Sequence, residues 1–328
     1  MKASIRRSVC TTCGFVLAAL ATGSGHVTAQ NYPVKPIRLI APFPPGGSSD
    51  LIARILANRM SEGLSQQVLV DNRPGAGSNL GTQLAARAAP DGYTILLSGV
   101  PAAINMTLYA KPGFDLVKDF APITQLAVGP TALVVHPSVP ARSVQQLIKL
   151  AQARPNDLNY GSGGNGTPSH ICGEMLRYMA KIKIAHVPYK GTGQSITDLM
   201  AGQIQLVFAS MPIVFPHMKT GRMRTLAVTG AKRTPLAPDL PTMDESGLPG
   251  YAFDSWWSFL TNTGVAPAII NTLNTETRRA LQLPDVKERF AELGIDIVHG
   301  TPAQLASFTR SEIDRFAKII RDTGIRAD

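Results

Sequence analysis

The feature that most constrains the fold is a glycine-rich stretch that joins a short strand-like run to a helix. Residues 160–170 read Y-G-S-G-G-N-G-T-P-S-H, and an amphipathic pattern begins near Ser169. Glycine adopts backbone angles that other residues avoid, and hydroxyl or amide side chains are common at helix starts. A turn of this kind can direct several backbone N–H groups, and the positive end of a helix, at one anion.

A second stretch has the same design. Residues 43–50, F-P-P-G-G-S-S-D, follow a strand-like segment and precede apolar residues at helical spacing. Asp50 falls in the first turn of that helix, with Arg54 four residues further on, so we expect its role to be structural. We predict that the two loops face each other across a cleft and hold a small carboxylate.

Strand-like and helix-like segments alternate along the chain, which predicts an α/β fold with a mainly parallel sheet. Residues 120–136 form a β-type pattern longer than one typical strand, and a shorter strand-like segment covers residues 256–261. We interpret both as crossings between lobes. The predicted architecture is therefore the two-lobed, Venus-flytrap fold of periplasmic solute receptors, with two crossover hinge strands. Lobe 1 would comprise residues 30–127 and 252–328, and lobe 2 residues 128–251.

The N-terminus has the pattern of a secretory signal peptide. Lys2, Arg6 and Arg7 precede an apolar run over residues 15–21, and residues 1–29 contain no acidic side chain. We predict cleavage after Ala29 and a periplasmic location. The alternative is an uncleaved anchor, but the apolar run is short for a bilayer. The formal net charge of +10 becomes +10 − 3 = +7 without this segment.

A basic exported chain is compatible with an anionic ligand. Its Lys and Arg residues are scattered and not interleaved with aromatic residues, which argues against a nucleic-acid partner. Cys172 is the one cysteine that follows residue 29, so an intrachain disulfide is not expected after cleavage. We expect its thiol to be a small buried apolar group.

Motifs of catalysis and cofactor binding are weak or incomplete. Residues 161–166 match G-x-G-x-x-G, but the expected acidic residue is missing from residues 185–190, A-H-V-P-Y-K. Ser162 is not in a G-x-S-x-G motif, because Tyr160 occupies the first position. The histidines form no H-E-x-x-H pair. We therefore assign no catalytic residue, cofactor or metal, and the alternative to a receptor is an exported hydrolase or transferase on a similar scaffold.

Candidate ligand contacts lie in the two glycine loops and at strand ends, where backbone, hydroxyl and aromatic groups can converge. They are Phe43, Gly46, Gly47, Ser48, Ser98, Ser162, Gly163, Asn165, Thr167, Tyr189 and Ser210. Phe43 can cover the ligand or pack at the rim. Lys190 can reach the ligand or belong to a solvated turn. For Trp256 the position favours core or hinge packing.

Several motifs taken together resemble the solute receptors of tripartite tricarboxylate transporters, often called Bug proteins. The motifs extend over nearly all of the chain after residue 29. They are Y-P at 32–33, K-P-I-R at 35–38, P-F-P-P-G-G at 42–47, D-N-R-P-G-A-G at 71–77, P-D-G-Y-T at 90–94, V-V-H-P-S at 134–138, L-N-Y-G-S at 158–162, G-T at 166–167 with His170, and H-V-P-Y-K-G at 186–191.

The resemblance implies a periplasmic receptor that closes on a small carboxylate and delivers it to a permease made of a large and a small subunit. In the family, the loops matching residues 43–49 and 162–167 cradle the carboxylate through backbone N–H groups and ordered water. Ser78 replaces a commoner glycine. Residues 48–49 and 163–165 lie in segments that vary within the family, so the identity of the bound carboxylate is left open. We expect a monomer. A receptor that reports to a membrane sensor is an alternative that the sequence does not separate.

Overall fold

The computed structural model describes residues 32–218 and 220–327. The predicted signal segment, residues 1–29, and its cleavage point lie outside the described residues. Within the described ranges, no helix combines the length and the apolar character needed to cross a membrane.

Strands and helices alternate along the described chain, as the sequence pattern predicts. The strands are β1 (Ile37–Ala41), β2 (Val68–Asn72), β3 (Thr94–Gly99), β4 (Phe120–Val135), β5 (Asn159–Ser162), β6 (Ala185–Pro188), β7 (Leu206–Ser210), β8 (Arg224–Val228), β9 (Asp254–Asn262) and β10 (Asp296–Ile297). The helices are α1 (Ser48–Leu64), α2 (Asn79–Ala86), α3 (Val100–Leu108), α4 (Val144–Ala153), α5 (Pro168–Ala180), α6 (Thr192–Met200), α7 (Met211–Val214), α8 (Pro267–Gln282), α9 (Pro284–Glu292) and α10 (Pro302–Thr323).

The strands form a sheet in the order β2-β1-β3-β9-β4-β7-β5-β6, with β10 and β8 also paired to β4. Strands β1 to β3 are parallel to one another, and so are β5 to β7. Strands β4 and β9, however, pair antiparallel with their neighbours. The prediction of a mainly parallel sheet is therefore wrong at the centre, because each of the two crossing strands is antiparallel to the strands that it pairs with.

Strand β4 belongs to two lobes. Its first part, Phe120 to Pro130, pairs with β9, and β10 also joins this part. Its last part, Thr131 to Val135, pairs with β7, and β8 lies along the same part. One lobe is thus built on β1, β2, β3, β9 and β10, and the other on β5 to β8. This agrees with the predicted two-lobed architecture, with β4 as one crossover and the start of β9 as the other.

Thr229 joins the two crossovers. It is fully buried, and its backbone N–H donates to the Thr131 carbonyl at 2.8 Å. The Thr131 N–H donates to the Thr229 hydroxyl oxygen at 3.0 Å, and the Phe253 N–H donates to the Thr229 carbonyl at 2.8 Å. The Thr229 hydroxyl lies 2.7 Å from the Phe253 carbonyl. Both connections between the lobes are therefore fastened to one residue.

The lobe cores extend to the crossovers. Trp256 is buried, its indole N–H donates to Glu312 at 2.8 Å, and its ring meets the edge of Phe308. This agrees with the expected core packing of Trp256. Cys172 is a buried free cysteine, also as expected, and burial raises the pKa of its thiol. A thiol kept protonated in this way is a poor nucleophile.

Ser78 has a left-handed backbone at the start of α2, with φ of +87°. Its buried hydroxyl has no hydrogen-bond partner among the described residues. Because a Cβ is disfavoured at this φ, we expect Ser78→Gly to stabilise the protein by about 1 kcal/mol, after the entropic cost of glycine is subtracted. Urea denaturation of the purified protein would measure this.

Ser195→Gly is the matched control for that variant. Ser195 is buried inside α6, so its replacement should lower stability. Equal losses in both variants would contradict a strained backbone at Ser78.

Asp254 begins β9 beside the crossover, and burial raises the pKa of its carboxyl, with Asp296 and Glu312 adding to the rise and Arg315 opposing it. The folded state therefore holds this proton more tightly than the unfolded chain does. The contribution to stability grows as pH falls through the folded pKa and is complete below the ordinary pKa. We expect Asp254→Asn to raise the melting temperature at neutral pH, and the difference from wild type to shrink towards pH ~4. Equal differences at all pH values would refute this.

Candidate functional site

A cavity of about 440 Å³ lies between the lobes, beyond the ends of their strands. Its lining includes the residues that begin four helices, namely Gly47 to Ser49 of α1, Gly99 to Pro101 of α3, Thr167 to Ser169 of α5 and Gly191 to Gly193 of α6. None of these four helix starts has a side-chain cap. Ser143 caps α4 and Thr301 caps α10, both away from the cavity, whereas α2, α8 and α9 lack a side-chain cap and also lie outside the lining. The positive ends of four helices thus surround one space.

The loop between β1 and α1 is shaped by a buried carboxylate. Asp50 accepts the Gly46 N–H at 3.0 Å, the Asn72 amide at 2.9 Å and the Arg54 guanidinium at 3.0 Å. Burial raises the pKa of Asp50, but these three donors outweigh it and hold the pKa below its ordinary value. The Asn72 amide also donates to the Phe43 carbonyl. Asp50 is therefore structural, as expected, and it uses the N–H of Gly46.

Several backbone N–H groups of the loop between β5 and α5 donate to neighbouring side chains. The Gly163 N–H donates to the Ser169 hydroxyl at 2.9 Å, and the Gly164 N–H donates to the Ser162 hydroxyl at 3.0 Å. The Gly166 N–H donates to Nδ1 of His170 at 3.2 Å. These donors have acceptors at the end of β5 and in the first turn of α5, which departs from the expectation that the glycine N–H groups point at the ligand. The same bonds tie the loop to both elements.

Most of the candidate residues come together at the cavity. Its lining includes Phe43, Gly46, Gly47, Ser48, Ser98, Gly163, Thr167 and Ser210. The buried hydroxyl of Ser98 has no hydrogen-bond partner among the described residues, so it is a donor that a ligand could use.

Three candidates lie outside the lining residues. Ser162 is fully buried, and its hydroxyl lies 2.6 Å from Nε2 of His186. Tyr189 turns back towards its own lobe, where its hydroxyl donates to Asp198 at 2.8 Å; burial and that carboxylate raise the pKa of Tyr189 to about 12. The carbonyl of Asn165 accepts the Tyr109 hydroxyl at 3.4 Å, at a contact between the lobes. Each of them has a nearby partner that the loop sequence alone does not reveal.

Other lining residues were not among the candidates. The start of α3 brings Val100 and Pro101, and the start of α6 brings Thr192 and Gly193. Trp257 also lines the cavity, with its indole N–H donating to the Ser49 hydroxyl at 3.1 Å. A signal for α3 is present in the sequence, because proline near the first position is typical of a helix start.

The lobes touch on either side of the cavity. The hydroxyl groups of Ser48 and Ser210 hydrogen-bond to each other across it. Asn105 of α3 lies against Gly166, where a Cβ would fall only 2.1 Å from the amide oxygen. Gly166 has a φ of +77°, so both its backbone angle and its close contact require glycine.

The electrostatics of the cavity come mainly from helix ends and hydroxyl groups and not from charged side chains. Among its described lining residues, Lys190 is the only charged one, and it is exposed. An anion in this space would be stabilised by helix ends and hydroxyl groups, which act more strongly where water is scarce.

Two serine–histidine pairs occur among the described residues. Ser162 lies 2.6 Å from Nε2 of His186, but it is fully buried and its hydroxyl already accepts an N–H. Ser138 lies 2.7 Å from Nδ1 of His136, outside the cavity lining. Within the described part of the chain, no group of three or more His, Cys, Asp or Glu side chains is placed to hold a metal ion.

Comparisons with known proteins agree with this geometry. A family model described as the tripartite tricarboxylate transporter family receptor matches residues 52–325. Protein BugT of Bordetella pertussis is 36% identical over 313 residues, covering 95% of this chain and 96% of BugT.

Solved structures are also similar. An R. palustris protein solved with adipate has a TM-score of 0.86 and 34% identity, covering 90% of this chain and 99% of that one. The periplasmic binding protein BugD has a TM-score of 0.87 and 30% identity over the same shares. The chain therefore belongs to the receptor family of tripartite tricarboxylate transporters, whose members are periplasmic solute-binding proteins.

Proposed function

We propose that this protein captures a small organic carboxylate in the cavity between its lobes and delivers it to a tripartite membrane permease with a large and a small subunit. The observation that supports this most directly is the meeting of four uncapped helix starts around a space with one exposed cationic side chain. Such a space favours an anion and does not require a salt bridge to hold it.

The ligand contacts that we propose come from both lobes. On one side are Phe43, Gly47 and Ser48 with Ser98, and on the other are Thr167 and Ser210. The N–H groups of Ser48 and Ser49 belong to the uncapped first turn of α1, where helices lack internal acceptors. Gly46 and Gly163 would then shape their loops, since other groups accept their N–H donors.

The remaining parts of the proposal concern processing and assembly. We propose export with cleavage after Ala29, a monomeric receptor, and no enzymatic activity. We also propose lobe boundaries at residues 127/128 and 251/252. Strand β4 exchanges partners between Pro130 and Thr131, and this supports a boundary close to the first of these positions.

Binding can be tested by thermal denaturation with a panel of mono-, di- and tricarboxylates, amino acids and aromatic acids. A ligand at a hundredfold excess over its dissociation constant should add ~2.7 kcal/mol to stability. Mass spectrometry of protein purified without added ligand would identify a retained compound. If no carboxylate shifts the transition or is retained, the proposed function is wrong.

Gly47→Val tests the position of the ligand. Gly47 has φ −84° and ψ 171°, angles open to any residue, and an added Cβ meets only the Pro44 carbonyl at 3.8 Å. We therefore expect a folded variant that has lost binding, because the new side chain occupies ligand space. Calorimetric titration and circular dichroism would measure the two properties. Gly163→Val is less clean, since its Cβ would fall 2.9 Å from the Thr192 hydroxyl.

Asp50→Ala tests whether a residue outside the cavity organises the loop. Loss of its three hydrogen bonds should lower ligand affinity by roughly tenfold or more, although Asp50 is not a lining residue. The matched control is Glu245→Ala, which removes a carboxylate that also accepts a backbone N–H and pairs with an arginine, but lies outside the lining. Equal affinity in wild type and Asp50→Ala, by titration calorimetry, would contradict the role.

A further inference from the structure

The cavity offers more apolar surface than a short, doubly charged acid would use. Besides the helix starts, its lining contains Phe43 and two prolines from the first loop, Trp257 from β9 and Ile213 from α7. Trp257 is 6% exposed, and its indole N–H is held by Ser49, so the ring is fixed in place. An aromatic ring fixed in this way offers contact area at little cost in conformational entropy.

Cationic side chains and unused N–H donors are also few among the described residues around the cavity. The described lining contains no arginine and no histidine, and Lys190 is exposed to solvent. The N–H groups of Gly46, Gly163 and Gly166 already have acceptors, and Pro101 and Pro168 have no N–H to offer. A second carboxylate beside Phe43, Pro44 and Pro45 would lose its hydration without gaining a hydrogen-bond donor from their side chains.

The volume of the cavity also favours a ligand larger than a short diacid. An engineered apolar cavity of about 150 Å³ accepts benzene, so a space of about 440 Å³ has room for a ring or a medium-length carbon chain in addition to a carboxylate. A short diacid would leave the partly exposed Phe43 and Pro44 facing water, and the burial of their apolar surface would not contribute.

We propose that the ligand of this receptor has a single carboxylate and an apolar body, either an aromatic ring or a medium-length chain, that packs against Phe43 and Trp257. This inference rests on the proposed function, because it specifies the ligand of the same cavity. The carboxylate occupies the positive field of the helix starts, and the body occupies the remaining volume.

Matched ligand pairs test this with the wild-type protein and titration calorimetry. Hexanoate and adipate share a carbon chain and differ by one carboxylate, while phenylacetate and succinate contrast a ring with a short diacid. We expect hexanoate and phenylacetate to bind at least about tenfold more tightly than adipate and succinate, a difference that corresponds to about 1.4 kcal/mol. Tighter binding of adipate or succinate would overturn the inference and leave the proposed function intact. If none of these acids, and no other carboxylate, is bound, the proposed function fails and the inference falls with it.

A variant of Phe43 provides an independent test of the packing of the ligand's apolar body. Phe43→Ala removes apolar wall but no donor, so the affinity for hexanoate and phenylacetate should fall by roughly fivefold or more, with a less negative heat-capacity change of binding. Leu80→Ala, at an exposed position outside the cavity lining, is the matched control. An unchanged heat-capacity change in Phe43→Ala would contradict packing of the ligand against this ring.

Discussion

The exchange of partners along β4 is the constraint on which the rest of the structure depends. Up to Pro130 the strand belongs to one lobe, and from Thr131 it belongs to the other. Thr229 fastens this point to the second crossover through Phe253. Both connections between the lobes are held at one buried residue and therefore lie side by side. The strand ends of both lobes consequently border the same cavity. The cavity exists because the sheet changes lobes within a single strand, and hinge motion about such strands leaves both cores packed.

A second consequence concerns how charge is provided. The loops that border the cavity satisfy many of their own donors, through Asp50 in one lobe and through Ser162, Ser169 and His170 in the other. These bonds fix the shape of the loops, and the shape aims helix ends at the cavity. The field at the site therefore comes from the placement of helices, and the hydrogen bonds inside the loops maintain that placement. The buried carboxylate of Asp50 is tolerated close to an anion site because Arg54 offsets its charge and the Asn72 amide donates a hydrogen bond to it.

The architecture was largely accessible from the sequence, and the details of the site were accessible only in part. The unusual length of the 120–136 pattern predicted a crossover, because few single strands are that long, and the glycine loops predicted two of the four helix starts. Helix α3 was missed, since its short apolar run has no strong helical period and only Pro101 marks its start. The sheet direction was wrong at the centre because hydrophobic pattern does not encode strand polarity. The orientation of Ser162 and Tyr189 depends on His186 in β6 and Asp198 in α6, which are brought beside them by the folding of separate elements.

The bond between Ser48 and Ser210 has a consequence for the rate of unloading. Two contacts that join the lobes, Ser48 with Ser210 and Tyr109 with the Asn165 carbonyl, are made by hydroxyl and carbonyl groups that water can replace. Separation at these two points exchanges hydrogen bonds within the protein for hydrogen bonds to water, so these contacts add little to the free-energy gap between shut and parted lobes. A bound molecule that bridges both sides would then determine the dwell time of the shut form. The bound molecule would then stabilise the shut form by its own contacts with the two lobes.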